Sequence, residues 1–417
     1  MPFHDRKAFD QCYELYINKN GLEALPPSLG DMPQLRLLDI SDNELHTFVM
    51  DQAKIKLFTS LESLHLQGNN VIQLADTFGC YCNLVTLQLE DNGVGRLPET
   101  FTRLTNLKNL FVDRNRLEAL PAGFGTLQQL EDVSFAGNQL GSDMFPVLAG
   151  LTRLRRLLLG GNRLGVGQPV EIGPDKLQFW CGETFGAWRD SLEYLDLGDN
   201  EISALPDQFC VLGALRSLTL ARNPLRELPP SVGRLTSLEE LYLNGCNLVS
   251  LPSSLCDLPA LKVLFAASNN LTHLPAQIGV KPVAGTLEAL DVSCNKLSTL
   301  PESVGGLTAL TALSLASNRV RKLPDSICDA AELRRLEVYD NGLTELPEDF
   351  GDLVKLNRLT LEGSNLVELP QSMGRQMQLM ELTMGAPDLL RIKYPPRRIC
   401  KKGAKEITLY LRKNKKY

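Results

Sequence analysis

The sequence lacks a long apolar segment, a paired set of cysteines and an apolar leader. Among its 417 residues there is no uninterrupted run of about 18 apolar side chains, so a membrane-spanning helix is not expected. The charged start, MPFHDRKAFDQCYELYINKN, has no apolar core and predicts no signal peptide. The 10 cysteines are scattered and not grouped at the two ends, which is typical of reduced thiols. We therefore expect a cytoplasmic location.

Residue patterns that support catalysis or metal binding are also missing. The 4 histidines, at His4, His46, His65 and His273, stand in no metal-binding spacing. The sequence contains no phosphate-binding loop, no dinucleotide-binding glycine motif and no kinase signature. The net charge of −6 argues against a general nucleic-acid binder. We expect a protein that is not an enzyme and that uses no cofactor and no metal.

The sequence does contain a repeat of 23 residues along most of its length. The unit reads L-x-x-L-x-L-x-x-N-x-L, followed by x-x-L-P-x-x-[FIVL]-G-x-L-x-x. The L-x-L part predicts a short parallel strand with buried leucines. The Asn side chain offers a donor and an acceptor to buried backbone groups of stacked repeats. This ladder position recurs fifteen times, at Asn20, Asn43, Asn69, Asn92, Asn115, Asn138, Asn162, Asn200, Asn223, Cys246, Asn269, Asn295, Asn318, Asn341 and Ser364.

The unit and its period match the leucine-rich repeat signature. The predicted fold class is an α/β solenoid, a leucine-rich repeat horseshoe of about fifteen 23-residue repeats. We expect a parallel β-sheet on the concave face, extended or 3-10 segments on the convex face, and a helical C-terminal cap. A column of large apolar residues predicts an outer hydrophobic spine, formed by Phe78, Phe101, Phe124, Phe209, Ile278, Ile327 and Phe350.

The pattern LPxxxGxLxxLxxLxLxxNxL, over about residues 12–412, resembles the intracellular Ras-group leucine-rich repeat family. That family includes the animal Ras–Raf scaffold, the Ras suppressor protein, the plant Ras-group repeat proteins and the repeat regions of Scribble-type polarity proteins. The end, YPPRRICKKGAKEITLYLRK, is similar to the cap that closes some of these arrays. The resemblance implies a scaffold or adaptor in signal transduction. It suggests a Ras-like small GTPase or a phosphatase complex as partner.

The predicted solenoid has two terminal segments and one large insertion. Residues 1–11 predict a short N-terminal cap, residues 12–390 the repeats, and residues 391–417 a basic cap helix and tail. The insertion lies at about residues 166–182, where one repeat is longer than its neighbours. Since insertions in solenoids form surface loops, this segment is a candidate contact site.

Two of these segments have alternative roles. Trp180, near the end of the insertion, either folds back onto the solenoid or contacts a partner. Residues 391–417 contain 11 basic residues and 1 acidic residue, which suits a polar cap on the last repeat. Lys401 and Lys402 in this segment could instead form a secondary contact, because a basic face attracts anionic lipid or RNA.

Three outward positions in each predicted strand form columns across the concave face. The columns hold ten acidic residues, three arginines and no lysine, so this face favours a partner with a basic surface. Aromatic residues in the same columns are of the type that anchors interfaces. The predicted protein-binding residues are Tyr16, Asp39, His65, Glu90, Phe111, Asp113, Asp132, Leu158, Tyr194, Tyr242, Phe265, Asp291, Glu337 and Tyr339.

Two functions remain open on the sequence. In the first, the chain is a cytosolic scaffold that binds a protein partner, and no nucleic acid is expected. In the second, it is a membrane-surface or cytoskeletal adaptor that the basic C-terminal helix holds in place. The sequence does not indicate an oligomeric state.

Overall fold

The computed structural model describes residues 11–25, 29, 32–48, 60–165, 182–280 and 282–414. The chain divides into two compact units, Met1–Ile202 and Ser203–Tyr417. Most of the predicted N-terminal cap, and residues 166–181 of the predicted insertion with Trp180, lie outside the described residues.

The first unit contains a parallel sheet in which successive repeats contribute three-residue strands. Each strand residue pairs with the residue at the same position of the next repeat. The fully buried Leu87, for example, pairs with the fully buried Leu110. The strands are β1 (Glu14–Tyr16), β2 (Leu37–Asp39), β3 (Ser63–His65), β4 (Thr86–Gln88), β5 (Asn109–Phe111), β6 (Asp132–Ser134), β7 (Arg156–Leu158) and β8 (Tyr194–Asp196).

The second unit has the same arrangement, and it includes one strand more than the period predicts. Leu241 pairs with Leu264 in the register of the first unit. The last strand, Glu381–Thr383, escapes the sequence pattern because Pro387 stands where its ladder Asn would be. The strands are β9 (Ser217–Thr219), β10 (Glu240–Tyr242), β11 (Val263–Phe265), β12 (Ala289–Asp291), β13 (Ala312–Ser314), β14 (Arg335–Glu337), β15 (Arg358–Thr360) and β16 (Glu381–Thr383).

Short 3-10 segments form the side of each unit opposite the strands, as the sequence predicts. Most of them follow a Leu-Pro step, in which proline holds the backbone extended before the turn; Pro98, for example, has φ −68° and ψ 152°. The first unit also has two short helices here, α1 (Met144–Leu148) and α2 (Gly182–Trp188). The 3-10 segments are Asp76–Cys80, Glu99–Arg103, Phe124–Thr126, Asp207–Val211, Val232–Arg234, Ser253–Asp257, Pro282–Gly285, Glu302–Gly306, Asp325–Asp329, Phe350–Asp352 and Gln371–Arg375.

The ladder asparagines satisfy buried backbone groups of two adjacent repeats, which confirms the role predicted for them. The Asn115 side-chain oxygen accepts a hydrogen bond from the Val94 backbone N–H at 2.9 Å. Its amide nitrogen donates to the Leu89 carbonyl in the preceding repeat at 2.8 Å and to the Val112 carbonyl in its own repeat at 3.2 Å. Because such groups would otherwise be buried without partners, each Asn fixes the stacking of one repeat on the next.

The predicted hydrophobic spine is confirmed. The rings of Phe78 and Phe101 stack with centroids 6.0 Å apart, and those of Phe101 and Phe124 with centroids 6.3 Å apart. In the repeat that carries the insertion, Phe185 and Trp188 from α2 are fully buried and contact each other. The aromatic spine and the strand leucines thus form the core between the two sides of each unit.

Three helices follow the last strand: α3 (Ala386–Arg391), α4 (Arg397–Cys400) and α5 (Ala404–Lys413). The sequence predicts a single cap helix within residues 391–417, but Gly403 separates α4 from α5 with a φ of +91°. Helix α5 buries Ile407 and Leu411 against the last 3-10 segment, and this contact covers the end of the core.

Candidate protein-binding surface

The outward side chains on and just after the strands form a sheet face in each unit. In β5, Leu110 is buried while Asn109 and Phe111 on either side of it are half-buried, and most other strands repeat this alternation. The predicted residues occupy these outward positions, since a strand presents successive side chains to opposite faces. Folding therefore leaves them available for a partner.

Three carboxylates lie close together on the first unit's sheet face. Burial raises the pKa of Glu90, and the neighbouring Asp113 raises this pKa further. Burial also raises the pKa of Asp132. The Arg156 guanidinium, whose Nε lies 4.0 Å from Asp132 Oδ1, opposes this increase. Asp113 accepts a hydrogen bond from the Ala136 backbone N–H at 2.8 Å. Because two of the carboxylates are held in a partly desolvated site, a cationic group on a partner would be attracted there.

Polar groups occupy the start of the same face. The Tyr16 hydroxyl donates to Glu14 at 2.9 Å, and the Tyr16 side chain remains largely exposed. The Asp39 carboxylate accepts hydrogen bonds from the backbone N–H and the hydroxyl two residues later. The His65 Nε2 lies 3.0 Å from the Ser63 hydroxyl oxygen. These local bonds orient the side chains on the surface and leave it strongly polar.

The far end of the first unit's sheet face is more apolar. Leu158 is half-buried, and Tyr194 is 45% exposed at the start of the adjacent strand. Asp196 is partly buried beside them, and its oxygen accepts a hydrogen bond from the Gly198 backbone N–H at 2.8 Å. Burial raises the pKa of Asp196. Glycines flank this carboxylate, and a Cβ on Gly160 would lie 3.2 Å from it.

Two aromatic side chains form a pair on the second unit's sheet face. The rings of Tyr242 and Phe265 meet edge to face, with centroids 5.6 Å apart and an interplanar angle of 79°. The Tyr242 hydroxyl donates to Glu240 at 3.3 Å, and Ser217 donates to the same carboxylate oxygen at 3.0 Å. Both rings stay half-buried. The pair therefore presents a fixed apolar surface that the core does not need.

Small residues extend this apolar surface toward the next strands. Ala267 and Ala289 occupy outward positions beside the aromatic pair, so a partner could approach the backbone closely there. Further along, Asp291 and Glu337 are half-buried and Tyr339 is 36% exposed. The second sheet face thus combines an aromatic pair, a shallow apolar area and flanking carboxylates.

The predicted secondary contacts lie elsewhere. Lys401 and Lys402 are exposed between α4 and α5. Among the described residues, no helix has the length and apolarity needed to cross a membrane, and no three metal-ligating side chains form a group that could hold a metal ion.

Some side chains on these faces are absent from the predicted list. Glu240 accepts a hydrogen bond from the Tyr242 hydroxyl, and Asp196 is a half-buried carboxylate whose pKa is raised by burial. Both stand in the same outward columns, so the alternation of side chains was sufficient to find them. Glu381, which pairs with Arg358 at 3.3 Å, lies on the strand that the period does not reveal.

Models of known families match much of the chain. A leucine-rich repeat region matches residues 14–164, a leucine rich repeat matches residues 214–271, and a further leucine rich repeat matches residues 191–212 and 286–307. The chain is thus a protein built from leucine-rich repeats. A curated relative, leucine-rich repeat serine/threonine-protein kinase 1 of Mus musculus, is 51% identical over 47 residues. That match spans 11% of this chain and 2% of the kinase.

Solved structures share the fold over most of the chain. A leucine-rich repeat protein of Leptospira interrogans has a TM-score of 0.71 and 27% identity, over 91% of this chain and 97% of that one. A plant peptide hormone receptor, RGFR1 in complex with RGF2, has a TM-score of 0.68 and 23% identity over 90% of this chain and 60% of that one. Toll of Drosophila, in complex with Spatzle, has a TM-score of 0.68 and 18% identity over 89% of this chain and 55% of that one. These likenesses establish the predicted solenoid fold.

Proposed function

We propose that this chain is a non-enzymatic scaffold or adaptor of intracellular signalling, located in the cytoplasm, that binds a protein partner through its sheet faces. The observation that carries the proposal is the Tyr242–Phe265 pair, a fixed aromatic surface on a face that is not needed for folding. Tyrosine and phenylalanine are enriched in the central parts of protein interfaces, and their contact across adjacent strands holds these two rings in place at the surface.

The charge of the first sheet face supports a partner with a basic surface. Its outward columns carry six carboxylates and a single arginine, Arg156. Burial at Glu90 and Asp132 makes a partner's Lys or Arg more favourable there than at a fully solvated carboxylate. Among the solved relatives, the plant receptor RGFR1 is in complex with RGF2, which is consistent with a leucine-rich repeat surface that takes a polypeptide ligand.

The resemblance to the Ras-group family directs the choice of partners to test. Ras-like small GTPases and phosphatase complexes are the first candidates. A cytoplasmic location is supported by the described cysteines, which are free thiols and form no disulfide with one another; one of them, Cys246, donates a hydrogen bond to the Leu220 carbonyl at 3.1 Å.

The test compares capture by the wild type with capture by a Tyr242→Ala, Phe265→Ala variant. Proteins retained from cytosol are identified by mass spectrometry, and the dissociation constant of each is then measured with purified components. We expect at least one partner whose affinity falls about tenfold or more in the variant, because paired aromatic anchors dominate interface energies.

The matched control removes exposed apolar side chains away from the sheet face. Val249 and Val280 are 54% and 72% exposed, and the Val249→Ala, Val280→Ala variant should retain the partner. Circular dichroism must show that all variants are folded. If both variants retain every partner with equal affinity, the sheet face of the second unit is not the binding surface.

The alternative function is a membrane-surface or cytoskeletal adaptor held by the basic C-terminal helices. The exposed Lys401, Lys402 and Lys405 favour it. Ile407 and Leu411 of α5 are buried against the last repeat, and Leu409 is the large apolar side chain of this helix that stays exposed, at 43%. Contact with a membrane would therefore rest mainly on charge. Replacing Lys401, Lys402 and Lys405 by Glu should abolish binding to vesicles containing phosphatidylserine if this function is correct. Capture of a partner by the sheet face should be unchanged.

A further inference from the structure

A groove of about 960 Å³ lies on the 3-10 side of the second unit, next to the C-terminal helices and apart from the sheet face. Its lining includes the Leu-Pro steps of consecutive repeats, Leu346–Pro347 and Leu369–Pro370, and also Leu323. Tyr394 and Leu411 from the C-terminal segment line it as well. The Leu-Pro steps of the repeats thus form an apolar floor of the groove, and the C-terminal segment forms one wall.

The groove is tied together by contacts between the cap and the last repeat. The Tyr394 hydroxyl oxygen lies 3.0 Å from the Gln371 side-chain oxygen and 2.6 Å from the Asn414 carbonyl oxygen, and its single proton can be donated to either. Gln371 in turn donates to the Leu411 carbonyl at the end of α5. Because these bonds join separate elements, the wall and the floor hold a fixed relative position, and the groove is present before any ligand arrives.

Carboxylates dominate the rim of the groove. Five exposed acidic side chains line it, and the two arginines that also line it are engaged with other groups. Arg375 forms an ion pair with Asp352, and Arg412 donates to the Met377 sulfur at 3.5 Å. The five carboxylates are Asp325, Glu345, Glu348, Asp349 and Glu368, of which Glu345 pairs with Lys322.

Burial, together with the negative charge of these carboxylates, raises the pKa of the nearby Cys328 thiol. Cys328 lies in the 3-10 segment that begins at Asp325, and burial is the main cause that raises its pKa to about 12. Asp349, Asp352 and Asp325 add to the shift, since their charges disfavour a thiolate. The carboxylates on this side of the unit therefore act together on one region of the surface.

We propose that this groove binds a short, extended peptide segment of a partner protein that alternates basic and apolar side chains. The stacked spine rings lie 6.0 and 6.3 Å apart from one repeat to the next, so the three contributing repeats extend over roughly 12 Å on this side, which about four extended residues span at about 3.3 Å each. Lysine and arginine suit both parts of the groove, because their aliphatic stems lie on apolar ground while their charged ends reach carboxylates. Phosphate-bearing ligands are repelled by the same rim.

The test uses a fluorescein-labelled heptapeptide of alternating lysine and leucine, titrated with the full chain and followed by fluorescence anisotropy. The test variant is Glu348→Gln with Glu368→Gln, which keeps the side-chain shapes and removes two rim charges. We expect its dissociation constant for the peptide to rise about fivefold or more, with a weaker dependence on salt than the wild type. Hydrogen exchange should show protection at residues 345–349 and 368–375 when the peptide is bound.

A matched control exists because the repeats place other glutamates at equivalent positions. Glu302 follows the proline of a Leu-Pro step, as Glu348 does, and Glu227 precedes the leucine of such a step, as Glu368 does. The Glu227→Gln, Glu302→Gln variant should bind the peptide like the wild type. A heptapeptide with glutamate in place of lysine should not bind.

Two results would overturn the proposal. The first is equal peptide affinity in the wild type and the Glu348→Gln, Glu368→Gln variant, both shown to be folded by circular dichroism. The second is loss of peptide binding in the Tyr242→Ala, Phe265→Ala variant alone, which would place the basic peptide on the sheet face. That second result would leave the proposed function intact, so the two proposals fail independently.

Discussion

The side-chain oxygen of Asn269 accepts a hydrogen bond from the backbone N–H of Cys246 at 2.9 Å. Both residues occupy the ladder position of their repeats, but only Asn269 has an oxygen to offer the preceding repeat. Cys246 donates its thiol hydrogen to the Leu220 carbonyl at 3.1 Å, and burial raises its pKa to about 11, so the thiol stays protonated at neutral pH. At position 246 the ladder therefore keeps a side-chain hydrogen-bond donor, the thiol, but lacks the side-chain oxygen with which Asn accepts a hydrogen bond.

Replacing Cys246 by Asn should stabilise the chain. In regular rungs the Asn oxygen accepts from the residue two places after the preceding ladder position, as Asn115 does from Val94. Asn at position 246 would serve Leu225 in the same way. We expect the free energy of unfolding in urea to rise by about 1 kcal/mol. Cys246→Ala is the control and should lower it; a loss of stability in both variants would show that the site cannot hold an amide.

Replacing Gly305 by Ala should destabilise the second unit. Its Cβ would lie 2.0 Å from the Ser326 carbonyl oxygen in the next 3-10 segment, so the two repeats would have to move apart. We expect a loss of about 1–3 kcal/mol in urea unfolding, in the range of overpacked cores. Gly186 in α2 has open space around its Cβ position, and Gly186→Ala should be neutral or stabilising. Equal effects of the two substitutions would contradict close packing at Gly305.

Glu90→Gln should stabilise the chain at neutral pH and have no effect in acid. Burial raises the pKa of Glu90, so the folded state favours its protonated form. The stabilisation of the folded state by protonated Glu90 is fully present below the pKa of this residue in the unfolded chain, about 4.3. It is lost as the pH rises through the higher pKa of Glu90 in the folded chain. We expect a gain below about 1 kcal/mol at pH 7, because the carboxylate is partly solvated. Urea unfolding at several pH values measures it, with the exposed Glu118→Gln as control; a gain that persists in acid would refute this cause.

Glu239→Gln should have the opposite pH dependence. Lys262 lies 2.6 Å and Arg216 lies 2.8 Å from the Glu239 carboxylate, and these cations lower its pKa, with the Lys262 hydrogen bond as the largest cause. The resulting stability is present above the unfolded pKa and is lost as pH falls through the folded pKa. We expect the substitution to lower the free energy of unfolding by less than about 1 kcal/mol at neutral pH, and by less still in 1 M salt, which screens the ion pairs. Thermal unfolding at low and high salt checks this; a cost that does not change with salt would exclude the ion pairs.

The fold could be predicted because its buried positions recur at one period. Leucines such as Leu87 and Leu110 are fully buried at equivalent places, and the ladder asparagines bond as their chemistry requires. The last strand could not be predicted, since Pro387 replaces the ladder residue and Asp388 from α3 bonds the Gly363 and Gly385 backbone N–H groups instead.

The candidate surfaces were predictable to different degrees. Alternation within strands is enough to place Tyr242 and Phe265 outward, but their edge-to-face contact depends on the chosen rotamers. The groove beside Tyr394 depends on where α5 packs, and no local pattern encodes that position. Partly buried carboxylates such as Glu90 also depend on neighbours that lie a whole repeat away in sequence.

The strand register has a consequence for how this surface could change. Tyr242 pairs with Phe265 across adjacent strands, although 23 positions separate them in the chain. The outward residues of each strand are distinct from the leucines and asparagines that hold the repeats together. Exchanging one repeat for another would therefore replace a single row of the surface and keep the hydrogen-bond ladder. Recognition and stability could then vary separately, one repeat at a time.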